Sequence, residues 1–480
     1  MQIIRKREVY QPIDQIFARF AHSQDVAFLN SSLENNLGRY SIIGLNPYLK
    51  LVKGEKFTIN GECSSLIFED YLRDYLARNY QINPTKLPLV CGAIGYFSYE
   101  YGRKLQGVSS KFDDVSGDLL TPRQPNLPDC VLTFYDNFVI EDHVAKEIFL
   151  VANGKLGNSE KTLADLENNI CNINNTNTPI IQKESRTAGS NMTATRQRPE
   201  LTCNFNQEEY IKAVESMIEY IINGDIYVVN MAMQMQARSA KRPYELFKIL
   251  RQTNPSPFSA YLNYANFTVI CCSPERFLQI KNGHIVTRPI KGTRKRGETP
   301  EEDAALKQEL MDSAKEKSEL LMVVDLERND LNKVCTPGSV IVSDMYGIEE
   351  YATVFHLVST VEGHLRENSS PVDLLVAAAP GGSITGTPKI RAMELIDELE
   401  NSPRGLYTGT LGFISLNGDC DLNIIIRTAV YENGIYYIGV GGGITYDSDP
   451  LFEYEEALQK ASALLKVLVS EEKGEGTNAD

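Results

Sequence analysis

The stretch "RPIKGTRKRG", residues 288–297, sets Lys291 between an isoleucine and a glycine with basic side chains on both sides. Such a lysine is either one charge in a solvated run or an amine whose cationic neighbours loosen its proton, which a nucleophile needs. Two acidic pairs invite comparison: Glu316 and Glu319 in "KEKSELL", and Glu453 and Glu456 in "FEYEEALQK". Residues three apart share a helix face. Each pair therefore reads either as a solvated face bridged to Lys315, Lys317 and Lys460, or as oxygen ligands for a hard cation. Mg²⁺ takes one or two protein carboxylates and leaves positions for water and substrate.

Other segments carry weaker signals. "PGGSITGTPK" spaces Gly381 and Gly386 as a phosphate loop would, but Thr387 and Pro388 stand where such a loop needs Lys and Ser/Thr. Small residues and hydroxyls before a helix can still offer backbone N–H groups to an anion such as a carboxylate. Gly441, Gly442 and Gly443 in "VGGGITYDSDP" would let a ligand approach a strand closely. His356 sits among apolar and β-branched residues and reads first as a buried, hydrogen-bonded histidine. Arg427 interrupts the apolar run "NIIIRTAV"; a buried guanidinium there needs an anion, an internal carboxylate or a substrate. The nine cysteines form no CxxC pair, which argues against a metal cluster or a disulfide framework.

These residues need a large scaffold. The chain has 480 residues, 42% hydrophobic and 23% charged, as expected of a globular protein of two lobes. A net charge of -15 argues against holding nucleic acid through overall charge. The N-terminal "MQIIRKREVYQPIDQ" lacks the apolar core of a signal peptide, and no apolar run suits a membrane span, so the expected address is cytoplasmic.

Residues 1–169 read as a strand-rich N-terminal lobe, 170–200 as a polar surface linker, 201–470 as a mixed α/β catalytic lobe, and 471–480 as a disordered acidic tail. "FTVICC", "SVIVSDM", "GTLGFISL", "NIIIRTAVY" and "IYYIGVGGG" are strand-like. "PEEDAALKQELMDSAKEKSELLMVV" reads as one helix with a buried face of Leu306, Leu310, Ala314 and Leu321.

In combination, "GDIYVVN", "SPERFL", "RPIKGTRKRG", "VVDLERNDL", "FHLVSTVEG", "GGSITGTPKIRAMELIDELE", "RGLYTGTLGF", "IIIRT" and "GGGITYDSDPLFEYEEALQK" resemble, in order, the chorismate-utilising enzymes from about Asn204 to Val469. The resemblance implies an α/β (α+β) fold of two lobes, with large antiparallel-rich sheets packed in a sandwich and helices outside. It implies Mg²⁺ on Glu319 and Glu456, with Glu316 and Glu453 nearby. It assigns the carboxylates of chorismate to Tyr407, Arg427, Gly441 to Gly443 and Lys460, with Ser383 lining the pocket and His356 beneath the ring. Glu275 in "SPERFL" matches a general acid/base, and a closed, dry pocket would raise its pKa.

Within the family, "PIKGT" resembles the aminodeoxychorismate synthases, whereas anthranilate synthases usually read "PIAGT". The resemblance makes Lys291 a nucleophile at C2 of chorismate: the 4-hydroxyl leaves, ammonia enters at C4 and the lysine departs. Anthranilate synthase chemistry is the alternative, and a silent binding or regulatory relative a more distant one. The isochorismate and salicylate synthases activate water with a lysine where this chain has Val228, so water addition is disfavoured. Most ammonia users have glutamine there, from which Val228 also departs. No cysteine is framed by glycines as in a glutaminase, so ammonia is expected from a separate glutamine amidotransferase subunit, in a heterodimer. Ser32, in "NSSLE", falls where anthranilate synthases bind feedback tryptophan; Ser31 replaces the glutamate of that segment, leaving a possible tryptophan site or a simple turn.

Overall fold

The computed structural model describes residues 1–33, 37–113, 127–171, 201–351 and 354–469. The tail expected at 471–480 and most of the expected linker lie outside the described residues; Ile170 and Cys171 end a helix, Ser159–Cys171.

The molecule is a mixed α/β structure of antiparallel strands with helices packed against them. Two long strands, Tyr40–Lys53 and Cys130–Asp142, pair along nearly their whole length and turn a corner together. The bend lies at "LNPYL", where Asn46 has φ +57° and the register slips between Pro47 and Leu49. Asn tolerates the left-handed conformation better than most residues, and a strand can pass from one sheet to another through such an irregularity.

On one side of the corner, Tyr40–Lys53 pairs with Val26–Asn30, which leads through Phe258–Asn263, Thr268–Ser273, Thr428–Glu432 and Ile435–Ile444 to Val228–Arg238. On the other, Cys130–Asp142 pairs with Gly92–Phe97, followed by Thr410–Ser415, Cys420–Ile424, Arg276–Lys281, His284–Thr287 and Val354–His364. Ile290–Lys295 and Ile341–Glu350 also pair with Val354–His364. The two runs meet face to face, as where Asn423 Nδ2 donates to the Phe258 carbonyl at 3.0 Å. At their far ends they bring Lys291 against Gly443.

Early and late segments therefore share one hydrogen-bonded framework and one hydrophobic core. Phe17 packs on Phe28 at 4.4 Å between centroids and edge-on to Tyr244 and Tyr261, an aromatic cluster joining the two parts; such pairs contribute about 0.5–1.5 kcal/mol each beyond area burial. All nine cysteines are free, six of them buried. Among the described residues no helix is long and apolar enough to cross a membrane.

Two sequence expectations are corrected. The acidic segment after Thr299 forms two helices, Pro300–Asp312 and Ala314–Asn332, because Ser313 leaves the helix and its side chain accepts from Glu316 N–H. This N-cap resets the phase: Leu310 is buried and Leu306 half-buried, but Ala314 and Leu321 are exposed. "NIIIRTAVY" is likewise two strands, Cys420–Ile424 and Thr428–Glu432, with Arg427 at φ +51° in the break between them.

Candidate functional site

The helix Ala314–Asn332 turns Glu319, Val323, Glu327 and Asp330 inward, three or four residues apart, with half-buried Glu316 at the start of the same stripe. Its acidic start faces a second helix, Pro450–Val469, that carries Glu453 and Glu456. The glycine strand runs between them. A Cβ at Gly442 would stand 3.2 Å from Glu453 Oε2 and from Glu456 Oε2 and 3.4 Å from Lys460 Nζ. A Cβ at Gly443 would stand 3.1 Å from Lys291 Nζ and 4.0 Å from Glu319 Oε2. Successive side chains on a strand face opposite ways, so leaving out both keeps acidic residues and lysines close across a single strand.

Glu319 and Glu453 are buried, and burial raises the pKa of each. Glu316 and Glu453 add to the rise at Glu319, which Lys291 opposes. Ser448 holds Glu453 by a 2.7 Å hydrogen bond, and Lys460 donates to Glu456 at 2.7 Å and to the Gly441 carbonyl at 3.1 Å. Glu316 stands at the edge, beside the Cβ-less Gly292 and 3.4 Å from Arg294. Among the described residues no three acidic, histidine or cysteine side chains form a closed metal cage. Glu319 and Glu456 stand near the Cβ directions of successive glycines, on opposite sides of the strand.

Lys291 also reaches the other half of the cluster. Its Nζ donates to the Ser383 carbonyl at 3.4 Å, while Ser383 Oγ donates to Glu275 Oε1 at 2.7 Å. Burial pushes the Glu275 carboxyl up to about 7, although the Ser383 hydrogen bond and the charge of Lys291 pull the other way. At neutral pH this carboxyl is poised to give or take a proton.

Ser383 is set by the turn Gly382–Ile384. Glu327, from the inward stripe, accepts the Gly382 N–H at 3.2 Å and the Thr287 hydroxyl at 3.4 Å. Burial and then the charge of Asp330 push the Glu327 carboxyl up to about 7. Asp330 pairs with buried Lys389, whose Nζ also donates to the carbonyls of Ala378 and Pro380 at 2.8 and 2.9 Å. Sequence reading assigned Glu327, Asp330 and Lys389 no role. The signal for Glu327 and Asp330 was the spacing, 8 and 11 residues beyond Glu319 on the same helix face; Lys389, which begins another helix, carried no such signal.

Arg427 is largely buried, and burial lowers its pKa. Among the described residues it has no ion-pair partner. Its field reaches Glu275, Tyr351 and His356. Burial first, then Arg427, lowers the His356 imidazole to about 4, so the ring is neutral at neutral pH. His356 shares a 2.9 Å hydrogen bond with Thr293, two residues from Lys291. Tyr407 packs its ring over Gly439, where a Cβ would come within 2.2 Å of the ring. The one candidate lying apart is Ser32, tied to the Ser256 carbonyl. Its neighbour Ser31 lines a cavity of about 510 Å³ with Arg39, Phe258 and Arg276, none of them in the cluster around Lys291.

The model of the "chorismate binding enzyme" family matches residues 30–466. The chain belongs to the chorismate-binding enzymes. An anthranilate synthase component 1 of Acetivibrio thermocellus is 36% identical, over 98% of this chain and 95% of the relative. An aminodeoxychorismate synthase component 1 of Bacillus subtilis (strain 168) is also 36% identical, over 95% of each. Among solved structures, anthranilate synthase component I from Streptococcus pneumoniae superposes with a TM-score of 0.73 at 28% identity, covering 90% of this chain and 93% of that one. The menaquinone-specific isochorismate synthase of Escherichia coli shares the fold at a TM-score of 0.69 and 15% identity, covering 98% of this chain and 94% of that one. This chorismate-binding enzyme is thus equally similar to two named activities.

Proposed function

We propose that this chorismate-binding enzyme converts chorismate and ammonia to 4-amino-4-deoxychorismate, with Lys291 as nucleophile, Glu275 as general acid and Mg²⁺ as cofactor. The observation that carries the reading is the place of Lys291, whose amine lies between the glycine strand and the turn that holds Glu275. A cation meant only for solvation would face water.

The Lys291 amine forms a bond to C2 through its nitrogen lone pair, both ring double bonds shift, and the C4–O bond breaks as Glu275 gives its proton to the departing hydroxyl, which leaves as water. Ammonia then bonds to C4, the double bonds shift back, the C2–N bond to Lys291 breaks and the new C4 ammonium returns one proton to the Glu275 carboxylate. Chorismate and ammonia are exchanged for aminodeoxychorismate and water, and the lysine is regenerated. Arg427 and Lys460 offer positive charge to the substrate carboxylates, and neutral His356 forms part of the pocket without adding charge. Glu319 and Glu456, with Glu316 and Glu453 near them, would hold Mg²⁺. When bound, the ion supplies positive charge for the ring carboxylate. Burial and mutual repulsion already disfavour the ionised forms of Glu319 and Glu453, which is consistent with carboxylates kept together for a cation. Ammonia would come from a separate glutamine amidotransferase subunit, and free ammonium can replace it in a test.

Lys291→Ala tests this reading. With chorismate, Mg²⁺ and ammonium, the variant should lose aminodeoxychorismate formation by at least about a thousandfold, the scale on which loss of a covalent nucleophile is felt. Turnover at the wild-type rate would remove the covalent step.

A further inference from the structure

Asn230 stands directly opposite Gly443 in the antiparallel ladder between Val228–Arg238 and Ile435–Ile444. Directly opposed residues send their side chains to the same face of a sheet. The Gly443 Cβ direction leads to Lys291 Nζ and Glu319, so the Asn230 amide is turned to the side of the strand where those two groups stand. Val228 shares that face, two residues away, and brings only hydrocarbon to it.

The backbone of Asn230 is fully engaged: its N–H donates to the Thr385 carbonyl at 2.8 Å and its carbonyl accepts from Arg404 at 2.7 Å. The side chain is not. Asn230 is 9% exposed, and its Oδ1 is buried with no hydrogen-bond partner among the described residues. An amide oxygen left this way in a site wall is costly unless a ligand supplies the donor.

The donor can be narrowed by chemistry. Substrate carboxylates are acceptors and gain nothing from an amide oxygen. The departing hydroxyl is addressed by Glu275 and Ser383. Ammonia has three N–H donors and must keep its lone pair free toward carbon, so it needs an acceptor behind it. A carboxylate in that place would favour ammonium, which has no lone pair; an amide oxygen accepts without adding charge.

We infer that Asn230 positions the attacking ammonia, accepting one of its N–H groups through the side-chain amide. The inference rests on the amination chemistry proposed above. It also answers the puzzle of Val228, because the polar group facing the nucleophile lies one strand repeat further along.

The test measures KM for ammonium and for chorismate separately, with Mg²⁺ present, in the full chain and its variants. Asn230→Leu has nearly the shape of asparagine but no acceptor, and should raise KM for ammonium about tenfold or more while KM for chorismate stays within about twofold. Asn230→Ser, which restores an uncharged acceptor, should recover part of the ammonium KM. An unchanged ammonium KM in Asn230→Leu, or both KM values rising together as in a general loss of structure, would overturn the assignment. Should Asn230→Leu be insoluble, Asn230→Ala against Asn230→Ser decides by the same criteria. A wild-type protein that consumes no chorismate in response to ammonium removes the amination reading itself, and with it the inference, before any variant is compared.

Discussion

Glu275 sets the demand on pH. Glu275 acts while protonated, and its carboxyl is pushed up to about 7 by burial, so the acid is present below that pH and lost above it. We predict that kcat/KM falls as pH rises through about 7, and that Glu275→Gln removes this limb while lowering activity by about 10²–10⁴-fold, the usual share of a general acid. A limb that persists unchanged in Glu275→Gln would assign it to another group. Lys291 was legible as a candidate from its basic neighbours, and Glu275 only through the family resemblance of "SPERFL". Ser383 was legible only as a lining residue. Its hydroxyl on Glu275 and its carbonyl under Lys291 depend on a turn whose shape is fixed by Glu327, more than fifty residues away in sequence.

At the scale of elements, the helix Ala314–Asn332 carries the proposed metal carboxylates at its start and supports the Ser383 turn from its second half. Glu327 has a folded pKa of about 7 against an ordinary value of 4.5. Its contribution to stability is therefore complete below pH 4.5 and lost as pH rises through about 7. Glu327→Gln keeps an acceptor for Gly382 but cannot ionise. We expect urea unfolding of this variant to lose less stability than wild type between pH 5 and pH 8, by on the order of 1–3 kcal/mol. Parallel pH dependence in the two proteins would contradict that role. Apolar periodicity carried through Ser313 placed the wrong residues inside, because one capping serine shifts every following side chain. The same limit hid the break at Arg427: the run is apolar throughout, and only pairing with different neighbours divides it into two strands.

Across the whole molecule, the site lies where the two ends of a bent, folded-back framework approach each other. Individual strands could be read from alternation and β-branched content. Which strands pair could not, because Gly92–Phe97 meets Thr410–Ser415 and Val26–Asn30 meets Phe258–Asn263 across hundreds of residues. That non-local pairing brings Lys291 to Gly443. A chain of net charge -15 nonetheless sets Lys291 and Arg427 where both act on Glu275, local positive charge that suits an anionic substrate. The most direct test of the account is product analysis with chorismate, Mg²⁺ and ammonium. The predicted result is 4-amino-4-deoxychorismate, revealed as para-aminobenzoate once a lyase for it is added; fluorescent anthranilate formed with pyruvate as the main product would contradict it.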